Sequence, residues 1–260
     1  LGVLNIGDAD NTHAFTIAAN GGANLIFTNN GGNAQLNQIA TSIGDTISAP
    51  LGLSNSLDIV NASTNSLTIS GGITNATPGS WTLSNVGTGI GGVTINGIIG
   101  NGAGTIGIVQ NSFNSQLTLR GANTFTGGVI VKSGSIRGTV TNAFGAFSNL
   151  VTIGDTSGSA NATLNGGWPS GNSCPNPIAV ASNNTGLATI VNSGNGARWD
   201  GLVTLYDHDL ILNAPAPTFN FYLRGGLVGR GNLTLKADGT SLLSLSPLTI
   251  NNAGTITNSG

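Results

Sequence analysis

Short apolar–polar–apolar triplets recur along this chain. Leu67-Thr68-Ile69, Val93-Thr94-Ile95, Leu117-Thr118-Leu119, Val151-Thr152-Ile153, Leu233-Thr234-Leu235 and Leu248-Thr249-Ile250 are the clearest, with Leu25-Ile26-Phe27, Leu57-Asp58-Ile59-Val60, Val129-Ile130-Val131 and Leu210-Ile211-Leu212 as further short apolar bursts. Successive side chains on a strand point to opposite faces, so each triplet sends two apolar groups to a core and one Thr to water. Gly71-Gly72, Asn96-Gly97 and Asn251-Asn252 punctuate the runs. Gly and Asn accept positive φ, which makes tight corners cheap there. The pattern predicts an all-β chain of many short strands.

Weak internal similarity then favours a solenoid. Ile6-Gly7-Asp8, Ile43-Gly44-Asp45 and Ile153-Gly154-Asp155 repeat one strand-end signal. The stretch LNIGDADNTHAFTIAANGG beside VTIGDTSGSANATLNGG reads as one structural unit used twice. A period of roughly 20–25 residues predicts a solenoid of roughly 10–13 coils, a rod about 50–60 Å long at ~4.8 Å per strand; the expected fold class is all-β, a right-handed parallel β-helix, although the period itself does not set the hand. The alternative is a β-sandwich, which also has short strands at regular spacing. The chain lacks the tyrosine-corner and Cys-Trp-Cys signals of that fold. The proline clusters Pro169 to Pro177 and Pro215 to Pro217 are expected as looped-out corners, because the strand pattern resumes after each. Residues 1–260 are therefore expected to form one continuous solenoid segment. Its strand pattern begins at Leu1 and runs almost to Gly260, which suggests part of a longer repeat protein or fibre.

The segment from Leu117 to Gly138, LTLRGANTFTGGVIVKSGSIRG, joins two strand runs through Gly121, Ala122, Asn123, Gly127 and Gly128. It resembles the autotransporter-associated β-strand repeat of long bacterial surface proteins, with Phe125 in place of the usual Tyr and Val129 in place of the usual Thr. The resemblance implies a parallel β-helix displayed outside the cell, a passenger segment at the bacterial surface. It implies no chemistry.

Composition sharpens this picture. The 260 residues include 42 Gly, and 6% are charged; all nine acidic residues are Asp, there is no Glu or Met, and Lys occurs only at Lys132 and Lys236. The usual surface helix formers are thus nearly missing. Net charge is −2, too small to argue for nucleic acid. No apolar run approaches a membrane span. The single cysteine, Cys174, cannot make an internal disulfide, and no zinc-ligand spacing exists.

Candidate chemistry is thin. Asp207-His208-Asp209, beside Trp199, Asp200 and Tyr206, could bind a divalent metal or act as acid and base. Neighbouring strand residues diverge, however, so a polar corner is the expected reading. Asp8, Asp10 and Asn11 suggest a calcium loop but lack the closing acidic ligand; turn residues satisfying their own backbone are expected instead. His13 and His208 lie far apart. Arg198, Asp200, Arg224 and Arg230 could line the groove of a glycan-active β-helix, and solvated corner charges explain them equally well. Phe219 and Phe221 share a strand face with Tyr222 opposite, so stacked core phenylalanines are expected. Trp81, Trp168 and Trp199 read as isolated, partly buried corner residues. The loop from Trp168 to Pro177 is expected to bulge, carrying Cys174 as a quiet thiol or a cross-link. Arg120, Lys132 and Arg137, in a window without acids, are expected to form a small basic stripe.

The sequence thus assigns no catalytic, cofactor-binding or metal residues, and no cofactor. It points to a non-enzymatic, extracellular β-solenoid rod in a bacterial surface adhesin or filament. Its expected partners are copies of itself, end to end or side by side, and surface polysaccharide. The alternative is a glycan-binding or glycan-cleaving β-helix.

Overall fold

A computed structural model of the chain describes residues 1–215, 219–246 and 249–260. Among these residues every regular element is a strand, and every strand pairing is parallel. The chain winds into a β-solenoid of about 10 turns, a rod of about 50 Å. Three faces are stacked around one core. The first two merge into a 20-stranded sheet, and the third is split into two four-stranded sheets. The merger has a local cause: Thr105–Leu119 and Val129–Gly138 run through the corner between the first two faces, with register shifts at the bend.

Interior positions form columns along the axis. On the first face Ala34, Leu57, Leu83, Ile108, Val129, Val151, Ile178, Val203 and Leu227 stack in register, all buried. On the second, Leu67, Val93, Leu117, Ile136, Leu164, Ile190 and Leu212 do the same. These are the triplets of the sequence, and the Thr between them faces outward. Thr16, Thr46, Thr68, Thr94 and Thr118 form one ladder down the outside of the second face. β-Branched side chains fit such a pleated surface. Coil length is uneven: Val129 lies 21 positions after its partner Ile108, Ile178 lies 27 after Val151, and Leu36 lies 32 after Leu4. The surplus is spent in corners such as 7–15 and 154–161.

Of the three Ile-Gly-Asp signals, two close a first-face strand (Val3–Ile6 and Val151–Ile153), and the third precedes Thr46–Ile47. In all three Gly has positive φ, 130°, 111° and 96° at Gly7, Gly44 and Gly154, a region costly for other residues. The two similar stretches both carry the chain from the first face to the second across a polar loop. The GANTFTGG segment occupies the third face between its two sheets without forming a strand. Phe125 fills the core there. The Asn123 side chain accepts from Ile99 N at 2.8 Å and donates to Ala143 O at 2.6 Å.

The core changes character halfway along. A second-face column that reads Ile47, Ile69, Ile95, Leu119 continues as Gly138 and Gly166. The vacated volume holds aromatic rings. Phe144, Trp168, Trp199 and Phe221, all fully buried, form a continuous stack with centroid separations of 6.3, 5.0 and 6.0 Å. Trp168 and Trp199 are therefore core residues rather than isolated corner residues. Phe221 stacks on Trp199, while Phe219 is only half-buried. The indole N–H groups of both Trp have no hydrogen-bond partner, a cost of about 1–3 kcal/mol each. Burying ~150–250 Å² per ring offsets it at ~25 cal/mol/Å². Of the strands expected from the sequence, Leu248-Thr249-Ile250 falls partly outside the described residues, as does the Pro215 to Pro217 cluster.

A Cβ on Gly166 would lie 2.8 Å from Trp199 Cζ2 and 3.2 Å from Trp168 Cζ2. We expect Gly166→Val to destabilise by about 1–3 kcal/mol through overpacking. Trp199→Ala should cost about 3–5 kcal/mol through the cavity it leaves. The double variant should cost clearly less than the two together. Shifts in urea-unfolding midpoints measure this; simple additivity would show that the glycines and the ring stack are unrelated.

Candidate functional site

The charged side chains sit at corners and on outward columns, and each carboxylate already has a contact. Asp155 meets Lys132 at 3.6 Å, Asp200 meets Arg224 at 3.8 Å, Asp207 meets Arg230 at 2.7 Å and Asp238 meets Lys236 at 3.8 Å. Asp209 accepts from Asn232 N at 2.7 Å, Asp58 from Asn33 Nδ2 at 3.1 Å, and buried Asp45 from Phe15 N at 2.8 Å and from Ser42 Oγ. Asp8 and Asp10 share the Thr12 hydroxyl at 2.8 and 2.7 Å. These contacts join a coil to its neighbour or close a loop on itself.

The Asp207-His208-Asp209 trio does not converge. Asp207 has φ 54° and turns to Arg230; Asp209 turns to Asn232; His208 Nδ1 contacts the Asp209 carbonyl at 2.8 Å. The depression beside them, about 330 Å³, is completed by Asn184, Thr185 and Leu187. This is the polar corner expected from strand geometry, and Trp199 is absent from it because its ring lies inside the core.

The Asp8 loop has a different membership from the one read in the sequence. Asp8, Asp10 and His13 bring one ligand atom each within 4.8 Å of one another, while Asn11, at φ 62°, belongs to the turn. The hydrogen-bonded Asp10 carboxyl, the Thr12 hydroxyl and the backbone N–H groups of His13 and Thr12 hold Asp8 well below the usual carboxylate range. Two carboxylates and an imidazole could hold a cation, and turn hydrogen bonding accounts for the same arrangement. Sequence reasoning missed His13 because five positions separate it from Asp8 and only the tight turn returns it.

The set Arg198, Asp200, Arg224 and Arg230 splits. The first three meet on the third face, where Arg198 pairs in register with Tyr222 and Asp200 lies beside Arg224. Arg230 belongs to the first face with Asp207. The basic stripe is likewise corrected. Lys132 is on the first face, tied to Asp155, whereas Arg120 and Arg137 are on the second face, where Arg137 packs on Gly167. Tyr222 points outward, opposite Phe221, as strand alternation requires.

Cys174 lies under the surface. Only Pro169 to Gly171 of its loop is exposed, while Trp168 and Cys174 are fully buried. The thiol sits 3.9 Å from Asn176 Oδ1, and burial, reinforced by the nearby Asp200 charge, pushes its pKa up to about 12. The expected cross-linking role is therefore closed to the folded chain.

Comparison with known proteins gave no match to a family model, a curated protein or a solved structure.

The Cys174 environment gives a measurable consequence. A thiol with an ordinary value of 9.0 raised to about 12 on folding contributes no pH dependence below pH ~9. The unfolded chain then loses the proton first, so stability falls as pH rises from about 9 toward 12, by up to ~1.4 kcal/mol per pH unit. Wild type should lose more stability than Cys174→Ala over that range. A thiol reagent should label the chain at pH 8 only after denaturant is added; rapid labelling of the native protein would contradict the buried position.

Proposed function

We propose that this chain is a structural rod, a length of extracellular β-solenoid in a bacterial surface adhesin or filament. The observation that carries this reading is the uninterrupted parallel ladder from Val3 to Asn258. Its carboxylates are spent on holding coils and loops in place rather than converging on a groove. The resemblance of the 117–138 segment to bacterial surface passengers supports the location.

The end coils support assembly. Among the described residues Val3–Ile6 pairs only with Ala34–Gln38, and Ile256–Asn258 only with Leu233–Ala237. The outer side of each carries unpaired backbone groups, and Leu1, Val3 and Phe15 at one end and Leu242, Ile250 and Ile256 at the other are exposed. Open edges with apolar side chains are templates for another strand. A second copy of this rod stacked end to end would bury them.

The purified chain should scatter light increasingly with concentration and form filaments visible by electron microscopy, with an axial diffraction spacing of ~4.8 Å. Val3→Lys combined with Ile256→Lys should suppress growth while the β-rich circular dichroism spectrum persists. A wild-type chain that stays monomeric at high concentration would overturn end-to-end assembly. Antibody labelling of intact cells checks location: signal only after permeabilisation would overturn the surface assignment.

A further inference from the structure

The seven Lys and Arg of the chain are unevenly employed. Lys132, Arg224, Arg230 and Lys236 each lie within 4 Å of an Asp. Arg120, Arg137 and Arg198 do not: Arg120 is exposed and Arg137 packs on Gly167. Arg198 is half-buried at the middle of Ala197–Trp199, faces outward because its neighbours Ala197 and Trp199 face the core, and has no ion pair or hydrogen bond among the described residues. Its guanidinium N–H groups, unused by the protein, are free to meet an anion.

The surroundings define what kind of anion. Arg198 opens onto a depression of about 400 Å³ on the third face, lined by Ser170, Asn195, Gly196, Asn220, Tyr222, Arg224 and Ser246. Tyr222 is the in-register neighbour of Arg198 on the next coil, and Arg224 lies two residues further along the same strand. Arg224 reaches Asp200 only through Nε at 3.8 Å, with half of its side chain exposed. That separation is too long for a hydrogen bond, so its terminal N–H groups remain available. Two guanidiniums against one carboxylate leave the site net positive. Gly196, at φ 79°, forms an open floor: a Cβ there would find nothing nearer than Ser170 Oγ at 3.6 Å. Asn220 uses its Oδ1 to hold Leu242 N at 2.9 Å and its carbonyl to hold Asn192, which leaves its Nδ2 as a donor. The outward column Ser173, Arg198, Tyr222, Ser244 runs along the rod axis through the site.

We infer that this groove binds an acidic polysaccharide through Arg198 and Arg224, with a carboxylate-bearing sugar ring set against Tyr222. Arginine takes a carboxylate through two parallel hydrogen bonds. A phenol ring offers an apolar face and a polar tip to a sugar ring. Amide and hydroxyl walls match sugar hydroxyls, and the absence of aliphatic side chains from the lining disfavours a lipid. A site running along the axis suits a polymer, since an extended sugar chain advances by about one strand spacing per residue.

Isothermal titration calorimetry with oligogalacturonate of defined length tests this, against a neutral cello-oligosaccharide of equal length and an oligoglutamate of equal charge. Oligogalacturonate should bind, and more weakly as salt rises. Arg198→Gln should weaken binding by about tenfold, the scale of one charge-assisted contact. Arg120→Gln, which removes an exposed cation on another face, should leave it unchanged, and circular dichroism should show both variants folded. Absence of binding, equal losses in the two variants, or equal affinity for oligoglutamate or the neutral chain would each overturn the assignment. Light scattering reads filament growth separately, so failure of the site and failure of the rod are distinguishable.

Discussion

Every coil of this molecule must return to the same place beside the axis, because each strand bonds in parallel register to the strands before and after it. That closure condition governs the rest. It forces residues about one coil apart into vertical columns, so one interior position is repeated about ten times over. A column can change residue type only where its neighbours change with it. The passage from Leu119 to Gly138 and Gly166 shows this: aliphatic bulk leaves one face, and Phe144, Trp168 and Trp199 arrive from others. The space left beside Gly138 and Gly166 is taken by aromatic rings, as a close-packed interior requires.

Closure also explains the buried amides. Where a strand turns a corner its backbone groups leave the ladder and need other partners. Asn61 Nδ2 donates to Asn65 O at 2.9 Å and to Gly91 O on the next coil at 3.0 Å, and Gln38 Nε2 reaches Asn65 O at 2.9 Å. Gln110 Nε2 donates to Ser112 O and Ser115 O, both at 3.0 Å, while Gln110 Oε1 accepts from Asn85 Nδ2 at 2.9 Å. Further on, Asn149 and Asn176 repeat the device, Asn149 bonding Phe125 O and Asn176 bonding Ala146 O. Side chains that can donate and accept at one corner allow coils of unequal length to share a register. The Asn-rich composition follows from this need more than from solubility.

The sequence made the strands and their inward faces legible because a two-residue alternation is local. Leu67-Thr68-Ile69 and Val93-Thr94-Ile95 each declare a core face within three positions, and stacking merely aligns them. What stayed hidden depends on contacts between coils. Nothing near Trp168 or Trp199 announces that each enters the core beside a glycine of another face. Proline and glycine around Cys174 signal a bulge, and only Pro169 to Gly171 form one. Among the charged residues, Arg198, Asp200 and Arg224 could be named as a set, but Arg230 could not be separated from them without knowing that its strand belongs to a different face. His13 was missed in the Asp8 loop for the same reason that Asn11 was included: spacing in sequence does not show which side of a turn a residue occupies.

The sparseness of charge gives the exceptions their weight. On an ordinary protein surface an arginine without a partner is solvated and uninformative. Here the outward column of the other half of the third face, Ile26, Gly52 and Thr74, carries no charge at all. Most cations elsewhere answer an Asp on the same or a neighbouring coil. Along this nearly uncharged ladder many polar side chains hold the coils to one another. The third-face groove departs from that economy at Arg198 and Tyr222, two large side chains in register on adjacent coils with no structural partner among the described residues. A solenoid makes such a departure inexpensive. Its core is set by the inward positions, so an outward column can exchange Thr or Ser for a recognition residue without disturbing register, packing or the coils on either side.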